Sequence, residues 1–149
     1  LERVQKEQYG GIEATINSEM ERINATLYSE KVNPPILHLE GNSYEFFTQD
    51  DTGTGIAYKG LVVYDLAIAS LTKLPILVHD SLILKQISDE AVENILVRYM
   101  ESGKQVIISL DKQDSYSKRT AEILEKQCVL HLAPNGRELF GRAWSRQET

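Results

Sequence analysis

The sequence predicts an α/β fold with a mainly parallel sheet flanked by helices, and three observations lead to this prediction. Short apolar runs typical of strands, at residues 74–81, 105–112 and 128–132, alternate with longer segments of helical period. The first two runs change abruptly from apolar to polar at their carboxyl ends. Alternating strands and helices are typical of parallel sheets with covering helices, whose strands are buried on both faces. A further helix and a β-hairpin precede this unit.

Composition and charge limit the classes of protein to consider. The 149 residues are 42% hydrophobic, which suffices for one core with an appendage. With 16 Lys and Arg against 22 Asp and Glu, the net charge is -6, which argues against nucleic-acid binding by bulk charge alone. Cys128 is the one cysteine, and no segment has the pattern of a secretory signal or a membrane span. We therefore expect a cytoplasmic protein without a membrane partner.

The N-terminal region has the pattern of an amphipathic helix. Apolar residues are spaced by four, four, three and four at Ile12, Ile16, Met20, Ile23 and Leu27. This narrow stripe follows the a/d pattern of a coiled-coil seam, and an ordinary helix packed on the domain is the alternative. Pro34 and Pro35 end the helix, because proline cannot donate the backbone hydrogen bond. We assign residues 1–32 to the end of a coiled coil in a longer protein and residues 33–149 to a separate lobe.

A hairpin and a glycine-rich loop follow. Residues 36–40 and 43–49 are β-prone runs separated by Gly41-Asn42, which predicts a hairpin with a type II′ turn. Residues 50–55 are rich in glycine and hydroxyl groups, and they open a long apolar helix over residues 56–71. A helix N-terminus presents unpaired N–H groups that suit a phosphate, whereas a plain turn and cap is the alternative interpretation.

Acidic residues end the two apolar runs. Asp80 and Asp111 are expected on one edge of the sheet, because the carboxyl ends of parallel strands lie together. A carboxylate there commonly binds magnesium or its bound water, although Asp80 could simply terminate a strand. Between these runs, Ser88 predicts the cap of a helix that ends near residue 102, with Asp89 in its first turn. The three histidines and the cysteine show no zinc-binding spacing.

The order of these motifs resembles the C-terminal lobe of the ATPase head of SMC-type or RecN-like ABC ATPases. That order is a coiled-coil end, a hairpin, a glycine-rich loop opening a long helix, a strand ending in Asp, a capped acidic turn and a second strand ending in Ser-Leu-Asp. The segments DDTGTG, YKGLVVYDLAI and LPILVHDS also resemble a bacterial family of coiled-coil ATPases whose C-terminal domain has no assigned function. The resemblance covers residues 12–144 and is most specific over residues 51–81.

The resemblance implies half of a P-loop NTPase domain that works with ATP and Mg²⁺. It makes Asp80 the Walker B aspartate, which orients the magnesium ion of bound ATP, and it places Asp89 near the D-loop. The signature loop, which contacts the γ-phosphate held by the opposing head of a dimer, corresponds to Thr52, Gly53, Thr54 and Gly55. The implied partners are the N-terminal ATPase lobe of the same protein, a second head in a homodimer, and DNA bound by the complete machine.

Two departures from the family pattern argue against rapid hydrolysis. Ser81 stands where the catalytic glutamate follows the Walker B aspartate, and serine cannot act as a general base at neutral pH without help. Leu110 stands at the place of the switch histidine, with Asp111 beside it. Because no phosphate loop is present in the chain, we expect the chain alone to be inactive.

Two other hypotheses remain open. The chain could be a self-contained magnesium-dependent phosphohydrolase or nuclease that uses Asp80 and Asp111, or a non-catalytic dimerisation or docking module. A GxxxxGK[ST] loop encoded upstream, separated from Leu1 by long heptad repeats, would favour the ATPase head. Repair, chromosome maintenance and phage defence are all compatible with the resemblance.

Overall fold

A computed structural model of the chain describes residues 2–111, 115–134 and 136–141. It divides into two compact units, Leu1–Tyr116 and Ser117–Thr149. The first unit contains α1 (Glu2–Asn24), β1 (Pro35–Glu40), β2 (Ser43–Thr48), α2 (Thr54–Leu71), β3 (Ile76–His79), α3 (Ser81–Leu84), α4 (Asp89–Glu101) and β4 (Gln105–Ile108). The second unit contains α5 (Lys118–Gln127) and an isolated bridge between Ala133 and Arg137.

The fold is mixed α/β, as predicted, but its sheets are small. β1 pairs with β2 in an antiparallel sheet, and β3 pairs with β4 in a parallel sheet, so each sheet of the described residues has two strands. The predicted third strand, residues 128–132, is irregular, and the side chain of Val129 is 98% exposed. That prediction is wrong because apolar character alone does not make a strand, which also needs a neighbouring strand to pair its backbone. The larger parallel sheet expected of a P-loop domain is therefore not seen in the described residues.

β3 is buried on one face rather than on both. Leu77 and His79 are buried, whereas Ile76 and Val78 are 40% and 65% exposed. Ile107 lies opposite Val78 in β4 and is 50% exposed. The expectation of a fully buried strand is thus wrong for this structure, because the described helices of the first unit cover only the face on which His79 lies.

α2 is the central helix of the first unit. Its buried apolar residues are Val62, Val63, Leu66, Ala67 and Ala69. By length and composition alone α2 could cross a membrane, which contradicts the expectation that no segment is long and apolar enough. α2 contacts α1, both strands of the hairpin, β3 and α3. Its apolar composition is therefore that of a helix packed in the core of the first unit.

α1 runs without a break through Gly10 and Gly11, and its C-terminal half packs on the domain. Met20, Ile23 and Leu27 of the apolar stripe are buried, whereas Ile12 is 50% exposed. The C-terminal end of the stripe therefore packs in the core as an ordinary helix does.

α1 also covers the outer edge of β1. Asn17 Nδ2 donates to the carbonyl of Leu37, and Asn17 Oδ1 accepts from the N–H of Leu37, both at 2.8 Å. One helical turn earlier, Glu13 Oε2 accepts from the N–H of Leu39 at 2.8 Å. These side chains take the place of a neighbouring strand, so β1 is not an open sheet edge.

The hairpin forms with the predicted turn. Glu40 lies opposite Ser43. Gly41 has a φ of +56°, whereas the φ of Asn42 is not positive. A positive φ at the first central residue alone is the mark of a type II′ turn. The ring of Phe46 in β2 contacts that of Tyr64 in α2 edge to face, with centroids 5.7 Å apart, and this contact holds the hairpin on α2.

The N-terminus of α2 lies against the turn that follows α3. A Cβ atom added at Gly55 would lie 2.5 Å from the backbone carbonyl oxygen of Gln86. No real Cβ contact is that short, so only glycine fits at this position. The requirement comes from close packing, because Gly55 does not have a positive φ.

Lys59 is a fully buried cation in the core. Its Nζ donates to Asn24 Oδ1 at 2.7 Å and to the carbonyl of Asn33 at 3.1 Å. Burial lowers the pKa of Lys59 to about 8, and the charge of Asp51 opposes part of this shift. The amine links α2 to the end of α1 and to the segment that leads into β1.

We predict that Gly55→Ala lowers the free energy of unfolding by about 2 kcal/mol, because the new methyl group overlaps a backbone carbonyl. The matched control is Gly10→Ala in α1, where no atom lies within 4 Å of the added Cβ. That change should stabilise the protein by about 0.5 kcal/mol or more, since it removes a glycine from a helix interior. Urea unfolding followed by circular dichroism measures both, and equal effects would contradict the packing argument.

Lys59 also predicts a pH dependence of stability. Its pKa is about 8 in the folded protein and 10.5 in the unfolded chain, so the unfolded chain binds more protons between these values. Stability should therefore rise with pH across this window and be lost as pH falls through about 8. We compare the free energy of unfolding of the wild type with that of Lys59→Met. The wild-type value minus the variant value should increase by about 3 kcal/mol between about pH 7 and about pH 11. Lys73→Met, at an exposed position, is the control, and no difference in slope between Lys59→Met and the wild type would contradict the prediction.

Candidate functional site

Three polar side chains meet where β3 and β4 end. Ser109 Oγ donates to Asp80 Oδ1 at 2.8 Å and accepts from the backbone N–H of Ser81 at 3.0 Å. Ser81 Oγ makes a longer hydrogen bond of 3.3 Å to the same Oδ1. The N–H of Ser109 donates to the carbonyl of His79 at 3.2 Å, so backbone pairing continues up to these residues. We call Asp80, Ser81 and Ser109 the Asp80 cluster.

The carboxylate of the Asp80 cluster is exposed and ionised. The hydrogen bond from Ser109, followed by that from the N–H of Ser81, lowers the pKa of Asp80 below its usual value. Both hydroxyl hydrogen bonds reach Oδ1, which leaves the second carboxylate oxygen without a hydroxyl partner. A fixed, charged carboxylate beside two hydroxyl groups offers the oxygen ligands that Mg²⁺ prefers, with water completing the shell. The residues present therefore fit one side of a magnesium site.

His79 lies beneath the Asp80 cluster and is buried. Its Nε2 is 2.9 Å from Asp65 Oδ2 in α2, and its Nδ1 is 2.5 Å from the Tyr99 hydroxyl in α4. An ionised carboxylate can only accept, so Nε2 carries a proton, and in the neutral ring Nδ1 then accepts from the Tyr99 hydroxyl. Burial raises the pKa of Tyr99 far above its usual value, which keeps this donor protonated. These bonds fix the end of β3 between two helices.

The sequence interpretation missed the partners of His79. It found no zinc-binding spacing among the histidines and assigned no hydrogen-bond partner to His79. One signal was present, since Asp65 interrupts an otherwise apolar stretch of α2. An acidic residue within a core helix commonly has a buried partner.

Asp111 has a different environment from Asp80. Its carboxylate forms an ion pair with the amine of Lys85, just beyond α3. Within residues 2–111 no hydrogen bond or ion pair joins Asp111 to Asp80, and the described residues contain no group of three or more His, Cys, Asp or Glu arranged for a metal ion. Asp80 directly follows β3 and Asp111 comes three residues after β4, but a lysine already balances the charge of Asp111.

The glycine-rich loop leads into the first turn of α2. Gly53 is the N-cap residue, and the N–H of Ala57 is the first in the helix to bond back, to the carbonyl of Gly53 at 3.1 Å. The N–H groups of residues 54–56 have no protein partner in the described part of the chain, which suits an anion. Asp51 opposes an anion, because its carboxylate accepts from the N–H of Gly53 at 2.9 Å.

The structure places the other predicted nucleotide-binding residues as follows. Thr52 is exposed in the loop, Thr54 is exposed at the start of α2, and Asp89 is exposed in the first turn of α4. Ser88 caps α4 as predicted, with its side chain accepting from the N–H of Ala91. The loop contacts the turn that precedes α4 through Gly55, so the loop and the start of α4 are brought together.

Comparisons with known proteins show one family match. No curated protein and no solved structure matches the sequence significantly. Residues 21–144 match the family described as "Uncharacterised protein conserved in bacteria (DUF2326)". This match agrees with the resemblance to a bacterial domain without an assigned function. Because the match covers most of the 149 residues, the protein belongs to the bacterial family DUF2326.

Proposed function

We propose that the chain is the C-terminal half of an SMC-like ABC ATPase head. It would contribute a Walker B strand and a signature-like loop to the ATP-dependent association of two heads in a DNA-associated process. The observation that carries this proposal is the path from the loop through α2 to β3, which ends in an exposed, ionised Asp80. Ser109, directly after the parallel neighbour β4, fixes that carboxylate.

In this proposal the Asp80 cluster holds Mg²⁺ on the protein side. Bound magnesium supplies positive charge that offsets the negative charge developing on the phosphate oxygens. Ser109 orients the carboxylate, because its hydroxyl donates to Asp80 while accepting from the chain at Ser81. Ser81 sits at the place of the usual general base but can only offer a neutral hydroxyl, so the proposal favours nucleotide binding over rapid hydrolysis.

The glycine-rich loop would contact the nucleotide of the opposing head. Its contribution is the set of unpaired N–H groups at the start of α2, with Thr52 and Thr54 adding exposed hydroxyl groups. Gly55 lies against the turn that leads into α4, and Asp89 is exposed in the first turn of that helix. The carboxylate of Asp51 limits how strongly the loop alone binds an anion, which agrees with a site that needs a second component.

The bare face of the parallel sheet supports a partner lobe. Ile76, Val78 and Ile107 are exposed on one face of the β3–β4 pair, although parallel sheets are normally covered on both faces. We propose that the N-terminal ATPase lobe of the same protein covers this face and supplies the phosphate-binding loop. DNA would then be a substrate of the complete machine rather than of this chain.

We predict that Asp80→Asn in the full-length protein reduces magnesium-dependent ATP turnover or ATP-driven head association by about tenfold or more. The fold should survive, because Asp80 is exposed. Asp111→Asn is the matched control, since it removes the same charge at the same sheet edge and should leave both activities largely unchanged. Phosphate release and light scattering measure the two activities.

Unchanged turnover and association in folded Asp80→Asn would contradict the Walker B assignment. An equal loss in both variants would instead favour the phosphohydrolase that uses both carboxylates.

We predict that Gly53→Val weakens nucleotide-dependent head association while leaving the nucleotide affinity of a single head nearly unchanged. Gly53 has an ordinary φ of -63°, and the nearest atom to an added Cβ is Asp51 Oδ1 at 3.2 Å, so a larger residue displaces this side chain and crowds the start of α2. Gly55 is unsuitable for this test because its substitution disturbs packing. Ala57→Val, one turn further along α2 at an exposed position, is the control. Equal association by Gly53→Val and wild type in light scattering would show that the loop is a plain turn.

A further inference from the structure

The antiparallel sheet of the hairpin has one closed edge and one open edge. On β1, the side chains of Glu13 and Asn17 pair with the outer backbone groups and close the edge. On β2, no hydrogen bond other than those of the β1–β2 ladder reaches the backbone of residues 43–48 from the described part of the chain. The unpaired N–H and C=O groups of such an edge are a template for another strand.

The register of the hairpin shows which backbone groups of β2 face outward. Glu40 and Ser43 flank the two-residue turn, so each points its N–H and C=O at the other. Hydrogen-bonded pairs alternate along an antiparallel ladder, so Glu45 and Phe47 also point their backbone groups toward β1. The residues of β2 whose backbone groups point away from β1 are therefore Tyr44, Phe46 and Thr48.

β2 has few of the features that keep edge strands from pairing. It contains no proline, lysine or arginine, and its six residues pair with β1 without a bulge. Tyr44 and Phe47, on opposite faces of the strand, are 72% and 46% exposed. Its one charged residue, Glu45, restricts which strands can pair with it, because a second carboxylate directly opposite is destabilising.

The sequence of β2 is complementary to itself in one register. Residues directly opposite each other in an antiparallel pair point to the same face, so a strand paired with its own copy must be centred on one residue. Centring on Phe46 places Tyr44 opposite Thr48, and it is the one register that pairs all three outward-facing residues within β2. It also places Glu45 opposite Phe47, whereas centring on Glu45 would place two carboxylates opposite each other.

We infer that the open edge of β2 binds β2 of a second copy of this chain, antiparallel and centred on Phe46, which joins two hairpins into a four-stranded sheet. Each pair of outward-facing residues exchanges two backbone hydrogen bonds. On the other face of the strand, the exposed ring of Phe47 packs beside Glu45 of the second copy. This contact needs no nucleotide, which separates it from the ATP-dependent association of two heads.

The test measures association of the 149-residue protein without nucleotide, by sedimentation equilibrium over a wide range of concentration. We expect a reversible equilibrium between monomer and dimer. NMR of a sample that mixes isotopically labelled and unlabelled chains then gives the register. We expect a contact between the Cα–H groups of Glu45 and Phe47 from different copies, because these groups approach closely in a non-hydrogen-bonded pair.

Two substitutions of Phe47 distinguish this register from a general apolar contact. Both remove the same exposed ring, but the new carboxylate of Phe47→Glu would lie opposite Glu45 of the second copy, whereas the new amine of Phe47→Lys would pair with it. Phe47→Glu should therefore dimerise about fivefold or more weakly than Phe47→Lys. Met100→Glu, at an exposed position on α4, is the control and should dimerise as wild type.

The inference is overturned if the wild type stays monomeric, or if it dimerises without the contact between Glu45 and Phe47. Equal dimerisation by folded Phe47→Glu and Phe47→Lys would also overturn it. Should either variant not fold, the mixed sample of the wild type decides alone. None of these results bears on the ATP-dependent association of heads, because nucleotide is absent throughout.

Discussion

The position of the candidate site depends on the two hydrogen bonds of His79. One ring nitrogen binds Asp65 on α2 and the other binds Tyr99 on α4, so a single side chain joins the strand to both helices that cover it. Only Leu77 and His79 of β3 are buried, and a four-residue strand with one covered face has little other packing to hold it. Asp80 follows directly in the chain. Its carboxylate can be fixed by Ser109 because the strand beneath it is already fixed.

Polar groups inside the core also determine how the first half of the chain is arranged. Lys59 carries a charge into the buried face of α2, and its hydrogen bonds to Asn24 and Asn33 specify where α1 and the following segment meet α2. Apolar contacts alone would allow these elements to slide. A buried amine permits few alternatives, because each of them would leave a charge without acceptors.

The sequence was sufficient to predict the order of most elements, although α3 was not predicted and the strand over residues 128–132 does not form. The hairpin turn at Gly41, the cap at Ser88 and the helix after the glycine-rich loop each depend on a few neighbouring residues, whose types can be read directly from the sequence. The third strand and the doubly covered sheet were wrong, because both depend on which segments pair across long distances. The apolar pattern of β3 shows that its residues can be buried, but it does not show that a second layer is present.

The same distinction applies to the sites. Asp80 could be identified because a polar residue ends an apolar run, whereas the roles of Asp65 and Tyr99 depend on tertiary contacts. Contacts of that kind also give α1 a mechanical role. Glu13 and Asn17, four residues apart on α1, hold two alternate backbone positions of β1, so the helix cannot turn or shift without carrying the hairpin with it. β1 is hydrogen-bonded to β2, and β2 leads within a few residues to Gly53. A movement of α1 would therefore displace the hairpin and, with it, the start of the glycine-rich loop.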